Sequence, residues 1–161
     1  MKDDLKTKIM DLGRALEARK FLLCTAESCT GGLIASTLTD VSGSSQWFCG
    51  AVVAYANEVK ESLLAVPHEV LVEHGAVSEP VVLAMAPGAC TTLGAQCSVA
   101  VSGIAGPTGG TPDKPVGMVW MAWCVDGKVD AVCQKFDGSR DEVKAQTVQA
   151  AVEGLLTRLE G

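Results

Sequence analysis

Thr25-Ala26-Glu27-Ser28-Cys29-Thr30-Gly31-Gly32 gathers hydroxyls, a thiol and two adjacent glycines where one kind of element gives way to another. The short apolar run Phe21-Leu22-Leu23-Cys24 ahead of it reads as a buried strand, and Leu33, Ile34 and Leu38 behind it recur at helical spacing. The polar residues therefore fall at a helix N-terminus. There, unpaired N–H groups and the positive end of the helix dipole favour negative charge. Such a turn suits a nucleophile and an anion site. It equally suits a plain N-cap, in which Ser28 or Thr30 satisfies a backbone N–H and the glycines permit the turn.

Working outward, helical and strand patterns alternate. Leu5, Ile9, Leu12 and Leu16, and again Val148, Val152, Leu155 and Leu159, recur at steps of three and four, which predicts a helix near each end. Residues 47–55, 96–102, 116–125 and 128–136 are rich in valine and aromatics and read as strands. Asp126-Gly127 between the last two is a tight-hairpin signal. Ser78-Glu79-Pro80 opens a further helix, with Ser78 as cap, and Pro87-Gly88 is expected to kink or divide it. The pattern predicts a three-layer α/β/α fold. Its sheet is mixed, parallel where helices intervene and antiparallel at the hairpin.

Composition narrows the function classes. The 161 residues, 48% hydrophobic and 20% charged, suit a single domain over 1–161, with no linker-like stretch. Net charge is −6 and the basic residues are scattered, so the basic footprint of a nucleic-acid binder is missing. The seven cysteines include no C-x-x-C pair and most lie in apolar runs. This reads as reduced, largely buried thiols of a cytoplasmic protein. The first residues lack a signal-peptide core, and no apolar run is long enough to span a membrane.

Two further constellations bear on chemistry. Ser102-Gly103-Ile104-Ala105-Gly106-Pro107-Thr108-Gly109-Gly110 follows a predicted strand, but Thr111-Pro112-Asp113-Lys114-Pro115 comes next in place of a helix, so a dinucleotide fingerprint is absent. The stretch reads either as a surface loop or as a ligand-contact loop at the carboxyl end of a strand. Tyr55 and Lys60 stand five residues apart, which within one helix would aim them apart. A strand ending near Tyr55 and a helix starting near Asn57 would instead point both into one cleft. His68 and His74 fall in a surface connection.

The segments TAESCTGG (25–32), GSSQWF (43–48), YANEVK (55–60), HGAVSEPV (74–81), SGIAGPTGG (102–110) and KPVGMVW (114–120) occur in the order of the CinA C-terminal domain family. The chain resembles a stand-alone member of the PncC type, without the amino-terminal molybdopterin-binding-like domain of longer CinA proteins. The resemblance covers roughly residues 5–160. Two departures stand out: Ala56 replaces the serine of the family's YSN segment, and Pro87 falls where uninterrupted helix is expected.

The resemblance implies deamidation of nicotinamide mononucleotide to nicotinate mononucleotide and ammonia, in NAD recycling. Ser28 matches the family's nucleophile, and Lys60 and Tyr55 its lysine and tyrosine. Lys60 would act as base when neutral, Tyr55 would relay the proton between Lys60 and Ser28 or donate it to the departing ammonia, and N–H groups around residues 29–31 would hold the oxyanion. No metal or cofactor is called for. Thr30, Gly31 and Gly32 offer an anion-binding helix start. Ser102, Gly103 and Gly106 belong to the loop that closes over the nucleotide, and Arg140 pairs with its phosphate or sits exposed in the first turn of the last helix. Cys29, a thiol at a helix start with a lowered pKa, is a rival nucleophile. Glu27 either orients Lys60 or adds charge near the helix start. The expected partner is a small nucleotide, with neither nucleic acid nor membrane, in a homo-oligomer. A catalytically silent nucleotide-binding domain, acting through a protein partner in competence or DNA-damage responses, is the alternative.

Overall fold

Alternation along the strands divides the apolar side chains between two cores, and the architecture follows from that division. In the computed structural model, which describes residues 2–160, α1 (Asp3–Arg19) leads into β1 (Leu23–Glu27), α2 (Leu33–Thr39) and β2 (Phe48–Val53). Then come α3 (Asn57–Leu64), α4 (His68–His74), α5 (Glu79–Leu93) and β3 (Cys97–Gly103). The hairpin β4 (Met118–Val125) and β5 (Lys128–Lys135) precedes α6 (Arg140–Glu160). The sheet order is β2-β1-β3-β4-β5; β1 pairs parallel with β2 and β3, and the remaining pairs are antiparallel.

Leu23, Val99, Met121 and Trp123 on one face of the sheet pack with Ile9, Leu12, Ile34, Val152 and Leu155 from α1, α2 and α6. Cys24, Ala26, Ala100 and Ala122 on the other face pack with Leu64, Leu71, Val82 and Met85 from α3, α4 and α5. This is the predicted three-layer α/β/α fold. All five residues of β1 are buried, as a parallel strand between two neighbours and two helical layers must be.

Because β1, β2 and β3 run parallel, their carboxyl ends share one edge, with Glu27 level with Val53 on one side and Val101 on the other. The chain leaves β1 through α2 on one face, and reaches β3 through α3 to α5 on the other. The crevice beyond β1 is therefore a topological switch point.

Several elements differ from expectation. β1 reaches Glu27, so Thr25 and Glu27 are strand residues, and α2 begins only at Leu33. Residues 68–74 form α4 rather than a plain connection. Ser78 occupies the N-cap position of α5, yet its hydroxyl donates 2.7 Å to the Gly75 carbonyl instead of capping the helix. Pro87 does not divide α5. Proline removes one internal hydrogen bond, but buried Val81, Val82, Met85, Ala86 and Ala89 hold the helix against the sheet on both sides of it. Gly88 lets α5 meet the end of α3, since a Cβ there would lie 1.9 Å from the Leu64 carbonyl oxygen. At the hairpin, Asp126 and Gly127 take φ of 49° and 84°, the left-handed pair of a two-residue turn.

Ala56 is the N-cap of α3, without a side-chain cap. A serine there would return the missing acceptor, so Ala56→Ser is expected to stabilise the fold by about 1 kcal/mol in urea unfolding. Gly88→Ala should destabilise it by about 1–3 kcal/mol, because the added methyl must displace the α3 backbone.

Candidate active site

Three connections meet at the switch point. After Glu27 the chain turns through Ser28, whose N–H donates 3.1 Å to the Val101 carbonyl and stays level with β3. Gly31 and Gly32, at φ of 61° and 103°, then swing the backbone into α2. After Val53 the chain passes Ala54 and Tyr55 into α3, whose first turn carries Asn57 and Lys60. Beyond β3, residues 103–110 form the opposite wall, and Arg140 at the start of α6 closes the end. Together these surround a cleft of about 330 Å³ that also includes Ala76 and Val77, a volume suited to a small ligand.

Lys60 is the most unusual group in it. Only 1% of the residue is exposed, and its Nζ lies 3.1 Å from Ser28 Oγ, 2.8 Å from the Ala54 carbonyl and 3.2 Å from the Tyr55 carbonyl. Burial pushes its pKa below the ordinary lysine value, opposed by the smaller influence of Cys29. A neutral amine has two N–H donors and one lone pair. Two carbonyls can take those donors, and the lone pair can accept the Ser28 hydroxyl proton. The arrangement can activate Ser28 as a nucleophile.

The remaining predicted residues distribute unevenly. Tyr55 lines the cleft, 64% exposed, but its hydroxyl lies 3.4 Å from Arg140 Nη2. The Ser28–Lys60 contact is direct, and Tyr55 meets the lysine through its carbonyl. Arg140 opens α6, as one reading had it, and also lines the cleft, where Nη1 donates 2.8 Å to the Gly106 carbonyl. Ser102, Gly103 and Gly106 also line it.

Thr30, Gly31 and Gly32 stand behind Ser28 and Cys29 and do not face the cleft. Thr30 Oγ1 donates 2.7 Å to Glu27. The Glu27 carboxylate accepts from the N–H groups of Ile34 and Ala35, so the start of α2 already holds an anion of its own. Glu27 thus belongs to the helix start and not to Lys60. Cys29 is 8% exposed, and burial drives its pKa up to about 11, opposite to the lowered value expected of a helix-terminal thiol. His68 and His74 lie on α4, away from the cleft. Asn57, Ala76 and Val77 were not predicted; their signal was their place inside YANEVK and HGAVSEPV.

The fold and crevice define a three-layer α/β protein with a polar cleft at the carboxyl ends of its parallel strands. The family model for the CinA C-terminal domain matches residues 5–159, and the chain belongs to that family. It is 48% identical over 154 residues to nicotinamide-nucleotide amidohydrolase PncC of Pseudomonas putida, covering 96% of each chain. To the protein of the same name from Escherichia coli K12 it is 47% identical over 147 residues, covering 89% of this chain and 88% of the relative. The crystal structure of the competence/damage inducible protein CihA from Agrobacterium tumefaciens superposes with a TM-score of 0.94 at 38% identity, over 100% of this chain and 98% of that one.

The state of Cys29 is open to test. With iodoacetamide at pH 8 and peptide mapping, the exposed Cys49 and Cys133 should alkylate before Cys29. Preferential labelling of Cys29 would contradict its buried, protonated state.

Proposed function

We propose that this protein hydrolyses the carboxamide of nicotinamide mononucleotide to nicotinate mononucleotide and ammonia, with Ser28 as nucleophile and Lys60 as general base. The observation that carries the reading is the buried Lys60 Nζ, 3.1 Å from Ser28 Oγ. The similarity to the Pseudomonas and Escherichia nicotinamide-nucleotide amidohydrolases supports the substrate class.

In this mechanism the Ser28 oxygen attacks the amide carbon while its proton passes to Lys60 Nζ. The oxyanion of the tetrahedral adduct is met by the N–H of Cys29, which lines the cleft and donates to no backbone carbonyl among the described residues. Collapse of the adduct breaks the C–N bond. Lys60 returns the proton to the departing ammonia and leaves a nicotinoyl ester on Ser28. Water then adds to the ester, again giving its proton to Lys60, and nicotinate mononucleotide is released as Ser28 regains its hydrogen. The two carbonyls that hold Lys60 keep its position through both proton transfers. Arg140, between Tyr55 and the Gly106 carbonyl at the cleft end, is the cation available to the nucleotide phosphate. A Cys29 mechanism is disfavoured by the burial and raised pKa of that thiol.

Ammonia release from nicotinamide mononucleotide by purified protein, with nicotinate mononucleotide confirmed as product, tests the reading. Ser28→Ala should abolish turnover, and Lys60→Ala should lower kcat by roughly 10²- to 10⁴-fold. Well-folded protein that releases no ammonia would overturn it in favour of a binding domain or another amide. The pH dependence has a definite sign. The active base is neutral Lys60, so the rate should rise with pH through a midpoint below 10.5, the ordinary lysine value. A midpoint at or above that value would exclude Lys60 as the base.

A further inference from the structure

We infer that Glu27 is the positioning residue of the site: its buried carboxylate fixes the turn that carries Ser28 and its backbone carbonyl the segment that holds Lys60, with neither side chain touched. The inference rests on the Ser28–Lys60 reading and deepens it.

Glu27 is fully buried. Its Oε1 accepts from Thr30 Oγ1 at 2.7 Å and from the Ile34 N–H at 2.8 Å, and its Oε2 from Thr25 Oγ1 at 2.8 Å and the Ala35 N–H at 2.9 Å. Four donors, none of them a cationic side chain, thus hold one carboxylate, as a buried charge requires. The two backbone donors are the second and third residues of α2, whose N-cap is Gly32. An N-cap side chain ordinarily serves those two N–H groups. Gly32 has none, and Glu27 supplies the acceptors from the preceding strand, across the very turn that carries Ser28.

The turn is consequently fastened at both ends. Its first residue follows Glu27 directly and is tied to Val101. Its last residues are drawn back onto the Glu27 carboxylate through Thr30 and α2. The backbone of Glu27 completes the second link: its carbonyl accepts from the Ala54 N–H at 2.8 Å, and the Ala54 carbonyl accepts from Lys60 Nζ at 2.8 Å. Ser28 is therefore the residue next to Glu27, and Lys60 is reached from the Glu27 carbonyl through Ala54 by two successive hydrogen bonds. The cleft walls at 103–110 and Arg140 lie outside this chain of contacts, so loss of the Glu27 carboxylate should affect the chemical step and spare ligand contacts.

Glu27→Gln keeps the size of the side chain. In either amide orientation, however, its NH₂ group faces the N–H of Ile34 or of Ala35, and half of the cap is lost. We would compare Glu27→Gln with wild type in steady-state ammonia release, and in the rate at which a fluorophosphonate labels Ser28 without substrate. In that labelling the Ser28 oxygen bonds phosphorus, fluoride leaves and Lys60 takes the proton. The expected result is a kcat lowered roughly 10- to 100-fold, as small misplacement of a nucleophile produces, with KM changed less than about twofold and labelling slowed by the same factor. Folded Glu27→Gln with wild-type labelling, or with a raised KM alone, overturns the inference.

Should Glu27→Gln not fold, Thr30→Val decides. It removes one donor to the carboxylate while keeping the side-chain shape, and should give the same split at smaller amplitude; unchanged labelling is the overturning result. Wild-type protein that labels at Ser28 but releases no ammonia from nicotinamide mononucleotide refutes the substrate and leaves Glu27 judged on labelling. Failure of wild-type Ser28 to label refutes both.

Discussion

An amine taken out of water is the constraint around which the crevice is organised. Lys60 is one of the largest fully buried side chains of the protein, and a buried ammonium is strongly disfavoured unless its donors are met or its proton is lost. The structure provides two carbonyls from the segment that joins β2 to α3, and one hydroxyl from the turn after β1. Those partners require the adjacent parallel ends of β1 and β2, while β3 ties the Ser28 N–H from the other side. The parallel pairing of β1 with both neighbours, the layers of helices and the switch in direction at β1 all serve that meeting of segments.

Near this base the local electrostatics are sorted by burial. Cys29 is the next residue after Ser28, yet its thiol is held protonated, with a pKa of about 11. Glu27, the residue before, contributes to that rise while its charge is spent on hydroxyls and backbone N–H groups. Three consecutive residues therefore do three different things because they point in three directions. The strand–turn geometry, more than residue type, assigns them.

Periodicity carried most of the fold into view. The terminal helices, the strands around residues 48–53, 97–103 and 118–135 and the Asp126-Gly127 hairpin all follow from spacing that local sequence expresses. The sequence was silent where tertiary contacts decide. Seven residues of α4 are too few for a clear period, and α5 survives Pro87 because the sheet holds both its halves. At the site, Ser28, Lys60, Tyr55 and Arg140 were legible as residues. Their relations were not, because Ser28 and Lys60 are 32 positions apart and meet only once β1 and β2 are paired. The cap that Glu27 gives α2 fits no local capping pattern, since the acid precedes the helix by a strand end and a whole turn.

The segment between β3 and β4 has one more consequence. Its root is pinned by Ile104, whose N–H donates to the Met118 carbonyl and whose carbonyl accepts from the Gly117 N–H. Thr111 and Lys114 close a turn within it, Lys114 Nζ reaches the His74 carbonyl at the end of α4, and Arg140 holds Gly106 from α6. A glycine-rich stretch of this length would ordinarily lose much conformational freedom on closing around a small molecule. Here three separate elements have taken that freedom away beforehand. A ligand entering the cleft meets a wall already in shape, and little of its contact energy is diverted into ordering the chain.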